Sequence, residues 1–294
     1  MIAQMAASRS VLNDYVALMK PRIISLLVLT ALGAMFVAAE GAPDPTVVVL
    51  VLVGGSLAAG GAHALNHYFE RDIDGLMSRT RNRPVASGRV PPANALAFGI
   101  ALNVVAFVLL ALLVNMVSAA VTLSGTLFYI LVYTLSLKRT TPQNIVIGGA
   151  AGAVPPVVGW AAVTGAIDLP AIYMFAIIFL WTPPHFWALS LLIKDDYAKA
   201  GIPMMPVVTS VERTKRYVLF YTAPLVIVTL MFAATTAVGW LYFVVAACLG
   251  AVFVYRAARM LTADGLRETR RTYLYSLLYL ALLFGAMMID SMVF

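Results

Sequence analysis

Charged residues are scarce in this sequence. Asp, Glu, Lys and Arg make up only 11% of its 294 residues, whereas Ala, Val, Ile, Leu, Met, Phe, Trp, Tyr and Cys together make up 62%. A soluble domain carries roughly 25% charged residues. The composition therefore excludes an ordinary water-soluble fold and favours a protein embedded in a lipid bilayer.

Cysteine is almost absent as well. A single cysteine, Cys248, excludes an internal disulfide, a cysteine metal cluster and a CxxC redox pair. Because it lies in an apolar run, we expect Cys248 to be a buried packing residue.

Long apolar runs dominate the rest of the sequence. A helix needs about 20 mostly apolar residues to cross the roughly 30 Å hydrocarbon core, and we count nine such runs. They are too long and too uniformly apolar for the strands of a membrane barrel. The sequence therefore predicts one all-α integral membrane domain over residues 1–294, a bundle of about nine transmembrane helices. The predicted spans are 23–39, 46–66, 93–114, 116–136, 144–165, 170–192, 217–237, 240–261 and 273–293.

The basic residues all fall on one side of this bundle. All 20 lysines and arginines precede the first span or lie in or beside every second connection, and the opposite connections hold none. The opposite side carries only Glu40, Asp44, Asp168 and, near the carboxyl terminus, Asp290. Because basic residues concentrate on the cytoplasmic side, we predict a cytoplasmic amino terminus. The same rule accounts for the formal net charge of +7 without a nucleic-acid partner.

Two of the cytoplasmic connections, about 67–92 and 193–216, are long and rich in charges of both signs. A long connection in a compact protein is usually functional or disordered, and neither loop has a low-complexity composition. We therefore predict that these two loops carry the functional site.

An acidic stripe is predicted where the second span meets the first of these loops. Asn66, Glu70 and Asp74 are spaced four residues apart, so in a continuous helix they share one face and are displaced by only about 40° per step. Three oxygen-bearing side chains at a membrane boundary suit a hard cation. Since Mg²⁺ prefers few carboxylates together with waters and substrate phosphates, the stripe favours a Mg²⁺ and phosphate site over a solvated charged loop.

Basic residues accompany the stripe. Arg79 and Arg83 follow it in the same loop, and the arginine fork binds phosphate oxygens in pairs. The second loop offers Lys194 for phosphate charge and Asp196 as a further carboxylate. We expect the second loop to lie opposite the stripe and complete the site.

These residues resemble a known family. The pattern Asn66-x3-Glu70-x3-Asp74 resembles the first acidic motif of the UbiA superfamily of intramembrane prenyltransferases. Further matches over nearly the whole chain resemble one branch, the protoheme IX farnesyltransferases (heme O synthases). These matches are Met77, Arg79-Thr80, Arg83-Pro84, Gly88, Lys20-Pro21-Arg22, Thr140, Asn144 to Gly149, Pro155-Pro156, Gly159-Trp160, His185 to Leu189, Asp196-Tyr197 and Ala200 to Met204.

The sequence departs from the wider superfamily pattern in both loops. His67 stands where many members carry the first Asp of an Asn-Asp-x2-Asp-x3-Asp motif, and the second loop lacks a clear Asp-x3-Asp. These departures argue against a second tightly held metal and favour the heme branch over the quinone branch.

The resemblance implies the UbiA-type prenyltransferase fold and a specific reaction. The farnesyl group of farnesyl diphosphate is transferred to a vinyl group of heme b with addition of water, which gives heme O and diphosphate. Heme b is then a substrate and not a permanent cofactor, and the product passes to a heme A synthase or a terminal oxidase assembly. The implied catalytic residues are Asn66, Glu70, Asp74 and Asp196, the first three as Mg²⁺ ligands, and the implied diphosphate-binding residues are Arg79, Arg83 and Lys194.

The first 22 residues contain Asp14 and few arginines, unlike a transit peptide, and no cleavable signal is visible. We therefore expect a multi-pass protein of a bacterial inner membrane.

Histidines provide a further signal inside the membrane. His63 and His185 lie within predicted spans, where an ionisable side chain is costly and is a functional hypothesis by default. Because histidine often holds heme iron, either one is a candidate for binding heme b. A hydrogen bond across helices is an equally weighted alternative. His67 lies within the acidic stripe, where we expect it to tune that site.

Other functions stay open from the sequence. One is a UbiA-type prenyltransferase that acts on an aromatic or quinone precursor. Another is a transporter, although the charged residues lie at the membrane face and not at the midplane, where transporter sites usually lie. A third is an assembly scaffold, which gives no reason for an acidic stripe beside arginines.

Overall fold

The computed structural model describes the backbone of residues 2–293 and the side chains of residues 11–293. All regular secondary structure in this part of the chain is helical. The helices are α1 (Ile2–Met19), α2 (Pro21–Ala38), α3 (Pro45–Phe69), α4 (Arg71–Asp74), α5 (Pro92–Leu113), α6 (Met116–Leu127, continued by a π-helix over Phe128–Leu137), α7 (Asn144–Gly152), α8 (Val154–Thr164), α9 (Leu169–Leu192), α10 (Lys194–Lys199), α11 (Met205–Val208), α12 (Val211–Met231, continued by a 3₁₀ turn over Phe232–Thr235), α13 (Trp240–Thr262) and α14 (Arg267–Val293).

Nine helical segments of the described residues are long and apolar enough to cross a membrane, which confirms the predicted number of spans. Seven of them are α2, α3, α5, α6 with its π-helical continuation, α12 with its 3₁₀ turn, α13 and α14. The others are α9 and the pair α7–α8, which is interrupted at Ala153 and counts as one span. The structure adds α1, a helix before the first span that the apolar pattern did not predict.

Local sequence signals define several helix ends. Pro21 and Pro45 occupy the first turns of α2 and α3, where the missing backbone N–H has no partner to lose. The Asp44 carboxylate accepts a hydrogen bond from the Thr46 N–H at 2.6 Å, and the Asn115 side chain caps α6 in the same way through the Ser118 N–H at 2.8 Å. Such caps satisfy donors that the helix leaves unpaired.

Glycines allow the closest helix pairs to form. A Cβ atom on Gly61 of α3 would lie 2.7 Å from the Gly99 carbonyl oxygen of α5, and one on Gly99 would lie 2.9 Å from the Gly61 oxygen. Between α2 and α8, a Cβ atom on Gly159 would lie 2.9 Å from the Ala31 carbonyl carbon. In a bilayer, such small residues let backbones approach and gain van der Waals contact.

The outer surface of the bundle is apolar, as expected for contact with lipid. Leu112 and Phe220, for example, are 77% and 69% exposed. Cys248 is also exposed, so the expectation of a buried cysteine was wrong. The buried face of α13 carries Tyr242, Ala246 and Gly250, and a helix of 3.6 residues per turn places residue 248 on the opposite side.

The connections that hold the basic residues meet at one end of the bundle. Lys20, before α2, contacts Asn66 at the end of α3, and Lys138, after α6, contacts Glu70 beyond the same end. Asp196, after α9, contacts Ser78 in the first long loop. The candidate site is therefore assembled from four separate connections at this end. That this end is cytoplasmic stays a prediction from the basic residues.

Candidate active site

The acidic stripe forms as predicted, although the helix that carries it does not run without a break. α3 ends at Phe69, and α4 begins at Arg71. The Glu70 N–H still donates to the Asn66 oxygen at 2.9 Å, and the Asp74 N–H donates to the Glu70 oxygen at 2.8 Å. Because these i, i+4 hydrogen bonds continue past the end of α3, Asn66, Glu70 and Asp74 keep a helical arrangement. All three residues are at most 2% exposed.

Each residue of the stripe has a basic side chain as its nearest partner, and the three basic residues come from different segments. Arg83 donates from Nη1 to both oxygens of Asp74, at 2.7 and 2.8 Å. Lys138 forms a short ion pair with Glu70 Oε1. Lys20 Nζ donates to Asn66 Oδ1 at 3.0 Å. We call these six residues the acid–base cluster.

The cluster keeps its buried charges because they neutralise one another. An unpaired carboxylate inside a protein is strongly disfavoured. Burial raises the pKa of the Glu70 carboxyl, but the charge and hydrogen bond of Lys138, aided by Lys20 and Arg83, leave its pKa below the ordinary value. Glu70 is therefore ionised.

Lys20 differs from Glu70, because the effect of burial on its pKa prevails. Burial, followed by the neighbouring charge of Arg83, holds the pKa of the Lys20 ammonium well below its ordinary value. Lys20 contacts only the neutral Asn66 side chain within the cluster, so an anion that arrives beside it would stabilise its charged form.

The donor set of the cluster fits a divalent cation. Arg83 Nη1 lies 2.7 Å from Asp74 Oδ1 and 3.9 Å from Glu70 Oε2, so one cationic atom already sits between two carboxylates. Oxygen ligands of this kind suit Mg²⁺, which takes one or two carboxylates and completes its shell with water and phosphate oxygens. Among the described residues, no group of three or more His, Cys, Asp or Glu side chains is arranged to hold a metal ion. A Mg²⁺ ion at the cluster would take its remaining ligands from water or from a bound molecule.

The second loop reaches the first through Asp196. Ser78 Oγ donates to both carboxylate oxygens at 2.8 Å, and the backbone N–H groups of Ser78 and Arg79 donate at 3.3 and 3.2 Å. These hydrogen bonds, that of the Ser78 hydroxyl foremost, lower the pKa of Asp196. The predicted role of Asp196 as a further catalytic carboxylate stays a prediction, and its oxygens already have partners.

The predicted phosphate-binding residues occupy different surroundings. Arg83 belongs to the acid–base cluster, whereas Arg79 lies near the buried Tyr197, where it opposes the rise in the phenol pKa that burial causes. Lys194 is half-buried at the start of α10, and the adjacent Asp195 is exposed. The structure therefore brings Arg83 to the stripe and places Arg79 at the junction of the two loops.

The histidines differ in their partners. His185 Nδ1 shares a 2.7 Å hydrogen bond with Ser276 Oγ of α14, and its ring stacks on Trp181 at 4.2 Å. The alternative of a hydrogen bond across helices therefore holds for His185. Both ring nitrogens of His63 and of His67 are buried without a partner among the described residues.

Sequence reasoning missed Lys20, Lys138 and the pair formed by Asp72 and Arg139. Arg139 donates to both Asp72 oxygens, at 2.7 and 2.8 Å, and ties the end of α6 to α4. All four residues were visible as charges at the ends of spans. Lys20 also lies in the family match Lys20-Pro21-Arg22, which gave it no role, and the other basic residues have the pattern of ordinary topological signals.

Comparisons with known proteins agree with this geometry. The model of the UbiA prenyltransferase family matches residues 27–285. A relative from Gloeobacter violaceus, named protoheme IX farnesyltransferase, is 50% identical over 281 residues, which cover 95% of this chain and 92% of the relative. A relative of the same name from Roseiflexus is 49% identical over 97% of this chain, but the chain spans about half (53%) of that relative's length.

Solved structures share the fold at low sequence identity. A digeranylgeranylglyceryl phosphate synthase matches with a TM-score of 0.79 at 17% identity, over 96% of this chain and 99% of its own. A UbiA homologue from Archaeoglobus fulgidus, described as bound to GPP and Mg²⁺, matches with a TM-score of 0.65 at 17% identity, over 93% of this chain and 99% of its own. The architecture of the nine spans is therefore that of these proteins.

Proposed function

The chain belongs to the UbiA prenyltransferase family, and on that premise we propose that it transfers the farnesyl group of farnesyl diphosphate to a vinyl group of heme b. Addition of water gives heme O, and diphosphate is released. Relatives named protoheme IX farnesyltransferase, about 50% identical over nearly the whole chain, support this assignment. The observation that carries it is the acid–base cluster, which brings two carboxylates and three basic side chains together.

The cluster suits the leaving group of this reaction. Breaking the allylic C–O bond leaves negative charge on the diphosphate, and preorganised cations stabilise that charge where it develops. Arg83 and Lys138 already contact the two carboxylates, and Lys20 contacts the neighbouring Asn66 oxygen. We assign these three side chains to the diphosphate oxygens. Arg79 and Lys194, which lie outside the cluster, are further candidates for the same role.

We assign Glu70 and Asp74 to a Mg²⁺ ion, with Asn66 as the neighbouring oxygen donor. When bound, Mg²⁺ neutralises diphosphate charge without proton transfer. The description of the Archaeoglobus fulgidus homologue as bound to GPP and Mg²⁺ supports a divalent metal with a prenyl diphosphate. Arg83 contacts Asp74 through Nη1 alone, so its other N–H groups can donate to phosphate oxygens when substrate binds.

We assign heme b to the region of His185. A histidine that holds a metal usually engages its other ring nitrogen in a hydrogen bond, which fixes the ring. His185 has this arrangement, because Nδ1 is held by Ser276 and Trp181 fixes the ring plane. His63 lacks such a bond and is the second candidate. The farnesyl cation then forms a bond to the vinyl carbon within the bundle, and a water molecule adds to the resulting cation and loses a proton, which leaves the hydroxyl group.

We place the protein as a multi-pass protein in a bacterial inner membrane, with the acid–base cluster at the cytoplasmic face. Bacterial relatives support this location. Both substrates and the product are amphiphilic, so they reach the bundle through the bilayer. Heme O then passes to a heme A synthase or to the assembly of a terminal oxidase.

Expression of this chain in a bacterial host that lacks heme O tests the proposal. We expect mass spectrometry of the extracted hemes to detect heme O, and a Glu70→Gln, Asp74→Asn double variant to yield only heme b. Farnesylation of an aromatic or quinone precursor without heme O would identify the other prenyltransferase reaction. A protein that releases no diphosphate from farnesyl diphosphate would contradict both.

A further inference from the structure

The two long loops are joined at one polar contact, which we call the loop junction. It consists of Ser78 and Arg79 in the first loop and Asp196 in the second. The Ser78 hydroxyl lies 2.8 Å from each Asp196 oxygen, and the backbone N–H groups of Ser78 and Arg79 add two longer hydrogen bonds. Asp196 is 9% exposed, and these donors satisfy both of its carboxylate oxygens.

The junction rests on an apolar cluster formed by both loops. Met77 and Ile73 of the first loop pack with Tyr197, Ile202 and Met204 of the second, and all five are buried. The second loop therefore packs against the first through apolar side chains, and Asp196 makes the polar contact between them.

The turn that contains Arg79 is held from its other side by Thr80. Thr80 Oγ1 donates to the Asp74 carbonyl oxygen at 2.9 Å, and the Thr80 N–H donates to the Met77 oxygen at 3.1 Å. Arg79 thus lies between an anchor to Asp196 and an anchor to Asp74, a residue of the acid–base cluster. Its side chain emerges from a backbone fixed at both ends.

From this geometry we propose that Asp196 is a positioning residue, which sets the Arg79 turn for the diphosphate and does not bind metal. The inference rests on the proposed function. Both Asp196 oxygens face Ser78 and Arg79, whereas Arg83, the cation between the carboxylates of the stripe, pairs with Glu70 and Asp74. The carboxylate positions the Arg79 turn through its four hydrogen bonds to the first loop.

A metal ligand and a positioning residue differ in what their loss changes. Loss of a ligand weakens metal affinity, and raised metal restores function by mass action. Loss of a positioning residue weakens substrate binding or turnover at every metal concentration. A positioning residue also acts through its hydrogen-bond partner, so the effects of removing the residue and the partner are not additive.

The test compares Asp196→Asn, Ser78→Ala and their double variant with Asp195→Asn. Asp195 is the matched control because it is the adjacent carboxylate but is exposed. The purified full chain is titrated with a non-reactive farnesyl thiodiphosphate at several Mg²⁺ concentrations, and binding is measured by calorimetry. Melting temperatures are recorded for every variant, and Ser78→Thr tests whether restoring a hydroxyl restores binding.

We expect Asp196→Asn to weaken binding of the analogue by about tenfold or more, as for loss of hydrogen bonds to a charged group. Ser78→Ala should weaken it less, the double variant should match Asp196→Asn, and Asp195→Asn should bind like the wild type. The Mg²⁺ concentration for half-maximal binding should stay within about twofold throughout. Because Ser78→Ala retains the carboxylate and the backbone donors, it tests the junction even where Asp196→Asn does not fold.

Three results would overturn the proposal. A rise in the half-maximal Mg²⁺ concentration for Asp196→Asn, with Ser78→Ala unaffected, would make Asp196 a metal ligand. Normal binding of the analogue by all variants would show that the loop junction does not position Arg79 for the diphosphate. Failure of the wild-type chain to bind the analogue would reject the proposed function itself, and the inference with it.

Discussion

At the scale of single residues, the main feature is the pairing of each stripe residue with a basic side chain from elsewhere. Glu70 contacts Lys138, Asp74 contacts Arg83, and Asn66 contacts Lys20. Such buried pairs are held only while both members remain, because removal of one leaves an uncompensated charge. Loss of either member should therefore destabilise the site, and only their proposed roles toward Mg²⁺ and diphosphate distinguish the acidic from the basic members.

Glu70→Gln and Arg83→Ala separate the two roles. Glu70→Gln should be partly rescued by raising Mg²⁺, because weakened metal affinity is recovered by mass action. Arg83→Ala should not be rescued, since it removes the fork that binds phosphate oxygens. Steady-state kinetics at several Mg²⁺ concentrations measures this, and the KM for farnesyl diphosphate should rise in Arg83→Ala if its contact is equal in ground and transition states.

Hemin binding supplies the control for that pair of variants. Both proteins should bind hemin like the wild type, because the acceptor is assigned near His185. Loss of hemin binding in Glu70→Gln, with farnesyl diphosphate binding intact, would show that the stripe serves the other substrate.

Asp74→Asn should abolish turnover and lower stability, because Arg83 loses its bidentate counterion in a fully buried position. The free energy of unfolding of Asp74→Asn should fall by about 1–3 kcal/mol, since the amide oxygen retains one hydrogen bond. Asp72→Asn is the matched control in the same short helix: its pair with Arg139 is exposed, so the change should stay within about 1 kcal/mol. Thermal unfolding in detergent measures both, and equal melting temperatures would contradict the importance of burial.

At the scale of helices, close packing brings the ends of α3, α6 and α9 to one place. The contact between α3 and α5 is made through Gly61 and Gly99, whose backbones nearly touch. On the other side of the bundle, His185 and Trp181 of α9 both bond to Ser276 of α14. These two contacts make separate predictions.

Gly61→Ala should destabilise the bundle, because the added Cβ atom would lie 2.7 Å from the Gly99 oxygen. The expected cost is about 1–3 kcal/mol, as for other overpacked positions. Gly55→Ala, on the same helix, meets no atom within 4 Å and should leave the melting temperature unchanged or slightly raised. Similar melting temperatures for the two variants would refute the proposed close approach of α3 and α5.

Ser276→Ala should weaken hemin binding by about 10- to 100-fold, the usual effect of removing a partner that orients a metal-binding histidine. Binding of the farnesyl analogue should not change. Ser190→Ala is the control, since the Ser190 hydroxyl donates to the Trp187 carbonyl of its own helix and, among the described residues, to no other helix. The change in the Soret band on titration with hemin is the measurement, and normal binding in Ser276→Ala would move the acceptor site to His63.

At the scale of the whole molecule, the basic connections meet at one end of the bundle, and we predict that this end is cytoplasmic. Labelling tests this with Asn82→Cys in the first long loop and Ala166→Cys in the connection before α9, both in a Cys248→Ser background. An impermeant maleimide applied to intact spheroplasts should label residue 166 and not residue 82. Labelling of both positions from outside, or of residue 82 alone, would reject the topology.

The sequence by itself determined the nine spans, because each apolar run is long enough to cross the bilayer and lipid leaves a helix as the only way to satisfy its backbone. It also determined the stripe, because Asn66, Glu70 and Asp74 are related by the local period of one helix. Both features depend only on residues close together in the chain.

Only the tertiary structure decided which charges meet. Lys20 and Asn66 are 46 residues apart, Glu70 and Lys138 are 68 apart, and Ser78 and Asp196 are 118 apart. No local period links such positions, and a lysine at the end of a span has the same pattern whether it faces water or a buried carboxylate. Their partners were set by helix packing, through contacts such as Gly61 against Gly99, which brought four connections together at one end of the bundle.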